Sequence, residues 1–272
     1  MNIAKCILHY IKVGHYSIKL EIQRQMEYPS FLFAWLVANP AHFILGLVSI
    51  QIVIANFGSL NGWSFNQVAF LYGIASMSHG LSMVLFIQTW SIQYLVTEGE
   101  FDRLLLRPLN IFYQFSVMEF NLIGFTDLIP AVCILFYGCS AVGFYPSFLN
   151  VIKLLAAIAG ATLIRGAVYL ATCSIAFWTK RSPFVELDNK VIYYTSMYPM
   201  SIYPMYFQIV FTYIIPLGFI SFYPASELLQ KSTDIILPGN LCLASLLVGI
   251  VVYIIGYTIF KKGLSRYESS GS

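Results

Sequence analysis

Apolar residues along this chain gather into six long stretches separated by short polar or charged intervals. They run from Ser30 to Phe57, Gln67 to Trp90, Ile111 to Gly138, Val151 to Trp178, Met205 to Tyr223 and Gly239 to Phe260. About 20 apolar residues suffice to cross a bilayer as a helix. Backbone groups in hydrocarbon must be satisfied within the segment, and no barrel-like alternation is present, so the stretches predict helices. Bends are expected at Pro40, Pro130 and Pro216, where a backbone donor is missing. The expected fold is an all-α integral membrane protein with six transmembrane helices. Composition agrees: 58% of residues are hydrophobic and 10% charged, against about 25% charged in soluble domains. Residues 1–272 therefore read as one membrane domain, with an N-terminal segment 1–29, a bundle 30–260 and a tail 261–272.

Lysine and arginine orient the bundle. Lys5, Lys12, Lys19 and Arg24 precede the first stretch, and Arg103 and Arg107 lie between the second and third. Lys180, Arg181 and Lys190 follow the fourth; Lys261, Lys262 and Arg266 follow the sixth. The other side has Lys231, with Lys153 near the edge of the fourth stretch. The positive-inside rule then places both termini in the cytoplasm, in a cell inner (plasma) membrane protein. The net charge of +3 reflects this topology and does not point to nucleic acid. The N-terminal segment lacks the apolar core and cleavage site of a signal peptide. Its lysines recur every seven residues with isoleucines and Leu8 mostly elsewhere, which predicts an amphipathic helix on the lipid surface. Between the fourth and fifth stretches, Glu186 to Tyr206 is aromatic and broken by Tyr198-Pro199 and Tyr203-Pro204. A cytoplasmic-side interfacial helix is expected there, with a re-entrant segment as the alternative.

The interval between the second and third stretches is unlike a simple connector. It reads Glu98-Gly99-Glu100-Phe101-Asp102-Arg103-Leu104-Leu105-Leu106-Arg107-Pro108-Leu109-Asn110. Acidic residues come first, arginines later and a proline last, the charge order and terminator of a short helix. Leu104 and Leu105 give that helix an apolar ridge with no evident core to fill. A cytoplasmic coupling helix that docks a soluble motor is the reading, with Glu98, Glu100, Asp102, Arg103, Leu104, Leu105, Arg107 and Pro108 as its residues.

Catalytic and metal sites are not expected. There is no phosphate-binding G-x-x-x-x-G-K-[ST] loop, so nucleotide hydrolysis of that kind is not a property of this chain. H-E-x-x-H, G-x-S-x-G and paired-cysteine motifs are missing as well. The five cysteines are scattered and read as small apolar residues. Polar residues inside the stretches are more informative: His42, His79, Glu119, Asp127 and Arg165. A charge at mid-bilayer costs about 2.5–3.5 kcal/mol on insertion scales, so each should have a partner or face water. At about 1.5 Å per residue, Asp127 and Arg165 reach similar depths on antiparallel neighbours, which predicts a bundle-stabilising pair or, alternatively, a transport role. Glu119 is expected to border a cytoplasm-facing cavity or to reach the interface near Arg107, and His79 to be a packed, hydrogen-bonded residue.

With this topology and interval in place, the chain resembles a permease of the type-2 ATP-binding-cassette exporter family, in its six-span bacterial branch. The matching pieces are residues 98–109, the two Tyr-Pro pairs, Pro216 with Tyr223-Pro224-Ala225, and the tail Tyr267-Glu268-Ser269-Ser270-Gly271-Ser272. The resemblance implies a separate cytoplasmic ATPase that handles ATP and Mg, no cofactor on this chain, and a second permease, identical or paralogous. It also implies a substrate path between two permeases lined by the second and fifth spans. Small residues in the second span (Gly73, Ala75, Ser76, Ser78, Gly80) and fourth span (Ala156, Ala157, Ala159, Gly160, Ala161) would serve that interface or pack helices within one subunit. Two other classes stay open: an ion-coupled secondary transporter using Asp127, Glu119 and His79, and a membrane-embedded lipid-modifying enzyme.

Overall fold

Proline and glycine set the ends of the first long helix. In the computed structural model, α1 (Ile3–Met26) is followed by α2 (Pro29–Phe57), which has proline in its first turn and is closed by Gly58 at a φ of 76°. The structure describes residues 3–182, 184–233, 235, 237 and 239–268; the side chains of residues 3–7 and the tail end Ser269–Ser272 lie outside the described residues. α3 (Phe65–Phe86) opens on a capping box of Ser64 and Gln67 and continues through a tight turn into α4 (Ile92–Thr97). Then come α5 (Phe101–Leu105), α6 (Ile111–Met118) and α7 (Ile123–Ala141). α8 (Phe148–Cys173) leads to α9 (Ala176–Thr179) and α10 (Phe184–Met197). α11 (Met205–Ile209), α12 (Phe222–Leu228) and α13 (Leu241–Leu264) complete the chain. Among the described residues, five helical stretches, against the six expected, are long and apolar enough to cross a membrane: Pro29–Phe57, Phe65–Thr97, Ile123–Ala141, Phe148–Thr179 and Leu241–Leu264. The all-α membrane class is therefore what the sequence predicts.

Two close helix pairs form the frame, and both depend on small residues. Without a hydrophobic drive inside lipid, helices associate by tight packing, which glycine permits. A Cβ at Gly138 of α7 would lie 2.6 Å from Phe70 Cα of α3, and one at Gly73 would lie 2.7 Å from Leu135 Cα. In the other pair, a Cβ at Gly249 of α13 would meet the Gly160 carbonyl of α8 at 2.6 Å. Apart from the exposed Ala159, the small residues of the second and fourth spans thus pack within the chain, and residues 68–76 of α3 are buried throughout.

Three local expectations are corrected. The third stretch is not continuous: Glu119 is extended (φ −123°, ψ 116°) between α6 and α7. The freed backbone finds its partners in α1, where Gln25 Nε2 donates to the Phe120 carbonyl at 2.5 Å and Gln25 Oε1 accepts from Leu122 N–H at 2.9 Å. α1 is accordingly docked on protein as well as amphipathic, with Tyr10 edge-on to Tyr113 at 4.8 Å. The helix runs through Pro40 and Pro130, but the fifth stretch, Met205 to Tyr223, breaks at Ile215-Pro216, where the residue before proline is extended. Finally, Glu186 to Tyr206 does not lie flat at an interface. Its contacts climb α8: Thr172 with Asp188, Tyr169 with Asn189 at 2.8 Å, and Arg165 with Ser196 at 2.9 Å. Ser201 then accepts from Asn61, in the loop at the far end of α2, at 2.9 Å.

A loop helix and a cavity beside Arg165

Gly99, at a φ of 72°, turns the chain out of α4 and into the charged interval. The helix there covers Phe101–Leu105 and not the whole of 98–108. Arg103 pairs with Glu100 at 2.7 Å on its exposed side, a contact of small energetic weight. Aromatic packing holds the element. Phe101 is fully buried, with ring centroids 5.1 Å from Phe177, 5.6 Å from Tyr267 and 6.3 Å from Phe115, and Phe115 stacks on Phe260 at 5.4 Å. Gln114 Nε2 donates to the Leu104 and Leu109 carbonyls at 3.1 and 2.9 Å, tying both sides of the loop to α6. Leu104 is buried in this cluster, so the expected ridge without a core is corrected. The apolar residues left outside are Leu105 and Leu106, the latter 85% exposed. Glu98, Arg107 and Pro108 are also exposed, and Asp102 is half-buried. Phe101, Gln114 and Leu106 were missed from sequence; the Phe101–Leu104–Leu105 spacing of a helix turn is the signal that α5 has an inner side.

Arg165 and Asp127 are not partners. Depth matched, but direction around the helix did not: α3 stands between them. Leu128 of α7 packs against Gly80 on one side of α3, while Arg165 of α8 bonds Ser78 and Ala75 on the other. Asp127 is buried and makes no hydrogen bond or ion pair among the described residues. The ion pairs among those residues are Arg24–Glu21, Arg103–Glu100 and Lys153–Glu227. Glu119 does not reach Arg107; its Oε1 accepts from Ser91 Oγ at 2.6 Å.

A cavity of about 360 Å³ opens between α2, α3, α8 and α10. Arg165, 2% exposed, forms part of its wall. Its Nε donates to Ser78 Oγ at 2.9 Å, and Nη2 donates to Ser196 Oγ at 2.9 Å and the Ala75 carbonyl at 3.3 Å. The Tyr72 and Ser76 hydroxyls also line the cavity, buried and without a hydrogen bond of ordinary geometry. His79 and His42 border it, their rings 6.0 Å from Phe43 and 5.2 Å from Tyr193. The exposed residues Glu186 and Lys190 mark the mouth. Tyr72, Tyr193 and Ser196 were not singled out from sequence, and Ser76 only as a small packing residue. The signal was present as helical spacing: Glu186, Asn189, Tyr193 and Ser196 recur every three or four residues, as do Tyr72, Ser76 and His79.

These features define a polytopic helical membrane protein with an anchored loop helix at one end and a polar cavity within the bundle. The family model described as ABC-2 family transporter protein matches residues 40–271. The chain belongs to that family, and it is a multi-pass permease of an ABC transporter in the cell membrane. No curated protein and no solved structure matches the chain.

Proposed function

We propose that this chain is the membrane subunit of an ATP-driven exporter, docked through residues 98–108 on a separate cytoplasmic ATPase that uses ATP and Mg. A second permease, identical or paralogous, completes the unit. The observation that carries the reading is the two-sidedness of α5. Phe101 and Leu104 are packed against the ends of α9 and α13, while Arg103, Leu105, Leu106 and Arg107 remain outside. A push on the exposed side is delivered to the α8–α13 pair through a close-packed aromatic cluster, because packed interiors transmit strain.

The same reading places six crossings. α10 and the turn after it make the sixth, since their contacts run from Thr172 of α8 to the Asn61 loop. α11 and α12 then form a hairpin that enters and returns on the Asn61 side, where Lys231 donates to the Gly62 carbonyl at 2.7 Å. With lysine and arginine inside, both termini and α5 are cytoplasmic. The test is the double change Asp102→Lys with Arg103→Glu in the full chain expressed with its ATPase. The permease should insert normally and lose the ATPase; retained complex with transport-coupled hydrolysis would refute the docking.

A further inference from the structure

We infer that the cavity beside Arg165 is a binding site for an amphiphile with an oxyanion head. This goes beyond the coupling reading and stands whether or not an ATPase docks on α5. Arg165 is a buried cation whose acceptors are all neutral: Ser78 Oγ, Ser196 Oγ, the Ala75 carbonyl, and the Tyr169 hydroxyl beside it. Both serines return their own protons to helix carbonyls, Ser78 to Ala75 at 2.7 Å and Ser196 to Ile192 at 2.5 Å. They are thereby fixed as acceptors and add no negative charge. No carboxylate pairs with the guanidinium among the described residues. Burying an ion without a counter-ion is expensive, and a ligand anion would supply what the fold leaves out.

The rest of the wall fits the same class. The Tyr72 and Ser76 hydroxyls, each 2% exposed, line the same cavity as the guanidinium, beside one another and the Tyr193 hydroxyl. Three convergent donors suit a carboxylate, sulfate or phosphate. Phe43, His42 and Tyr193 add aromatic surface for an apolar body, and the volume falls in the range of about 300–1,000 Å³ usual for small-ligand sites. The ligand enters past Glu186 and Lys190, about 15 and 9 Å from Ser196 along α10 at the helical rise.

The full chain in phosphatidylcholine nanodiscs, titrated with dodecyl phosphate against a dodecanol control and read by native mass spectrometry, tests the site. Saturable binding of one dodecyl phosphate per chain is expected, with dodecanol failing to saturate. Arg165→Gln should weaken binding at least about tenfold, a loss of about 1.4 kcal/mol. Tyr72→Phe removes one donor at constant volume and should weaken it about threefold, so the test survives if the arginine variant does not fold. Displacement of the probe by phosphatidylglycerol in the disc would identify a bilayer lipid as the occupant; no displacement would identify a free amphiphile. Binding that does not saturate, or that matches wild type in both variants, would overturn the site.

Discussion

Gln25 shows how one side chain can license an interruption in a membrane helix. Its amide bonds both the Phe120 carbonyl and the Leu122 N–H across the α6–α7 break. Gln25→Leu removes the protein partners of two half-buried backbone groups, at about 0.5–1.5 kcal/mol each. Thermal unfolding of the purified chain should drop accordingly, and Gln25→Glu should retain only the bond to Leu122. Glu227 is the corresponding anchor at the other end, accepting from Lys153 Nζ at 2.6 Å and from Cys242 N–H, at the start of α13, at 2.7 Å. Burial alone would raise its carboxyl, but the Lys153 and Cys242 bonds outweigh it and hold the group below its ordinary 4.5. A lowered acid stabilises the fold above its unfolded value and loses that contribution as pH falls through its folded value. Stability should therefore fall as pH drops below 4.5, and Glu227→Gln should flatten that limb; a wild-type profile in the variant would contradict the anchor. Neither residue stood out in the sequence, because glutamine and glutamate at helix ends are common. The Arg165–Asp127 pairing failed for a related reason: residue counting gives depth along a helix but not direction around it.

The long helices were legible because each announces itself by an uninterrupted apolar run. α10 was legible as a helix but not as part of the bundle, since its cavity-lining polar residues interrupt the run, although their three-to-four spacing carried the information. The break at Ile215 falls at Pro216, where a missing donor was expected, but the break at Glu119 was hidden, and Pro40 and Pro130 sit inside helices. What separates these cases is whether neighbouring groups satisfy the backbone, a tertiary fact. The α8–α13 pair gives a direct check on the packing. Gly249→Val places branched carbons against the Gly160 backbone, where a Cβ alone would meet its carbonyl at 2.6 Å. Overpacking of this kind costs about 1–3 kcal/mol, and the melting temperature of the purified chain should fall. Gly58→Ala is the contrast: nothing crowds its Cβ, and the strain comes from the positive φ.

For the molecule as a whole, the aromatic cluster joins α5 to the ends of α9 and α13, and the cavity lies along α3, α8 and α10. The fold class and the existence of a special loop between the second and third stretches were readable from sequence; which of its leucines face inward was not, because that depends on Phe115, Phe177 and Phe260 meeting from distant parts of the chain. Topology can be checked with single cysteines in a cysteine-free chain. Ile202→Cys, at an exposed position next to Ser201, should react with an impermeant maleimide added outside intact cells, and Arg181→Cys only after permeabilisation. The most direct test of the coupling account is the mass of the intact complex extracted from membranes of the native host. The account predicts two permeases with two copies of an ATPase, and a permease that loses the ATPase when Leu105 and Leu106 are both changed to Glu. A chain that transports without any ATPase bound, or a complex untouched by that double change, would contradict it.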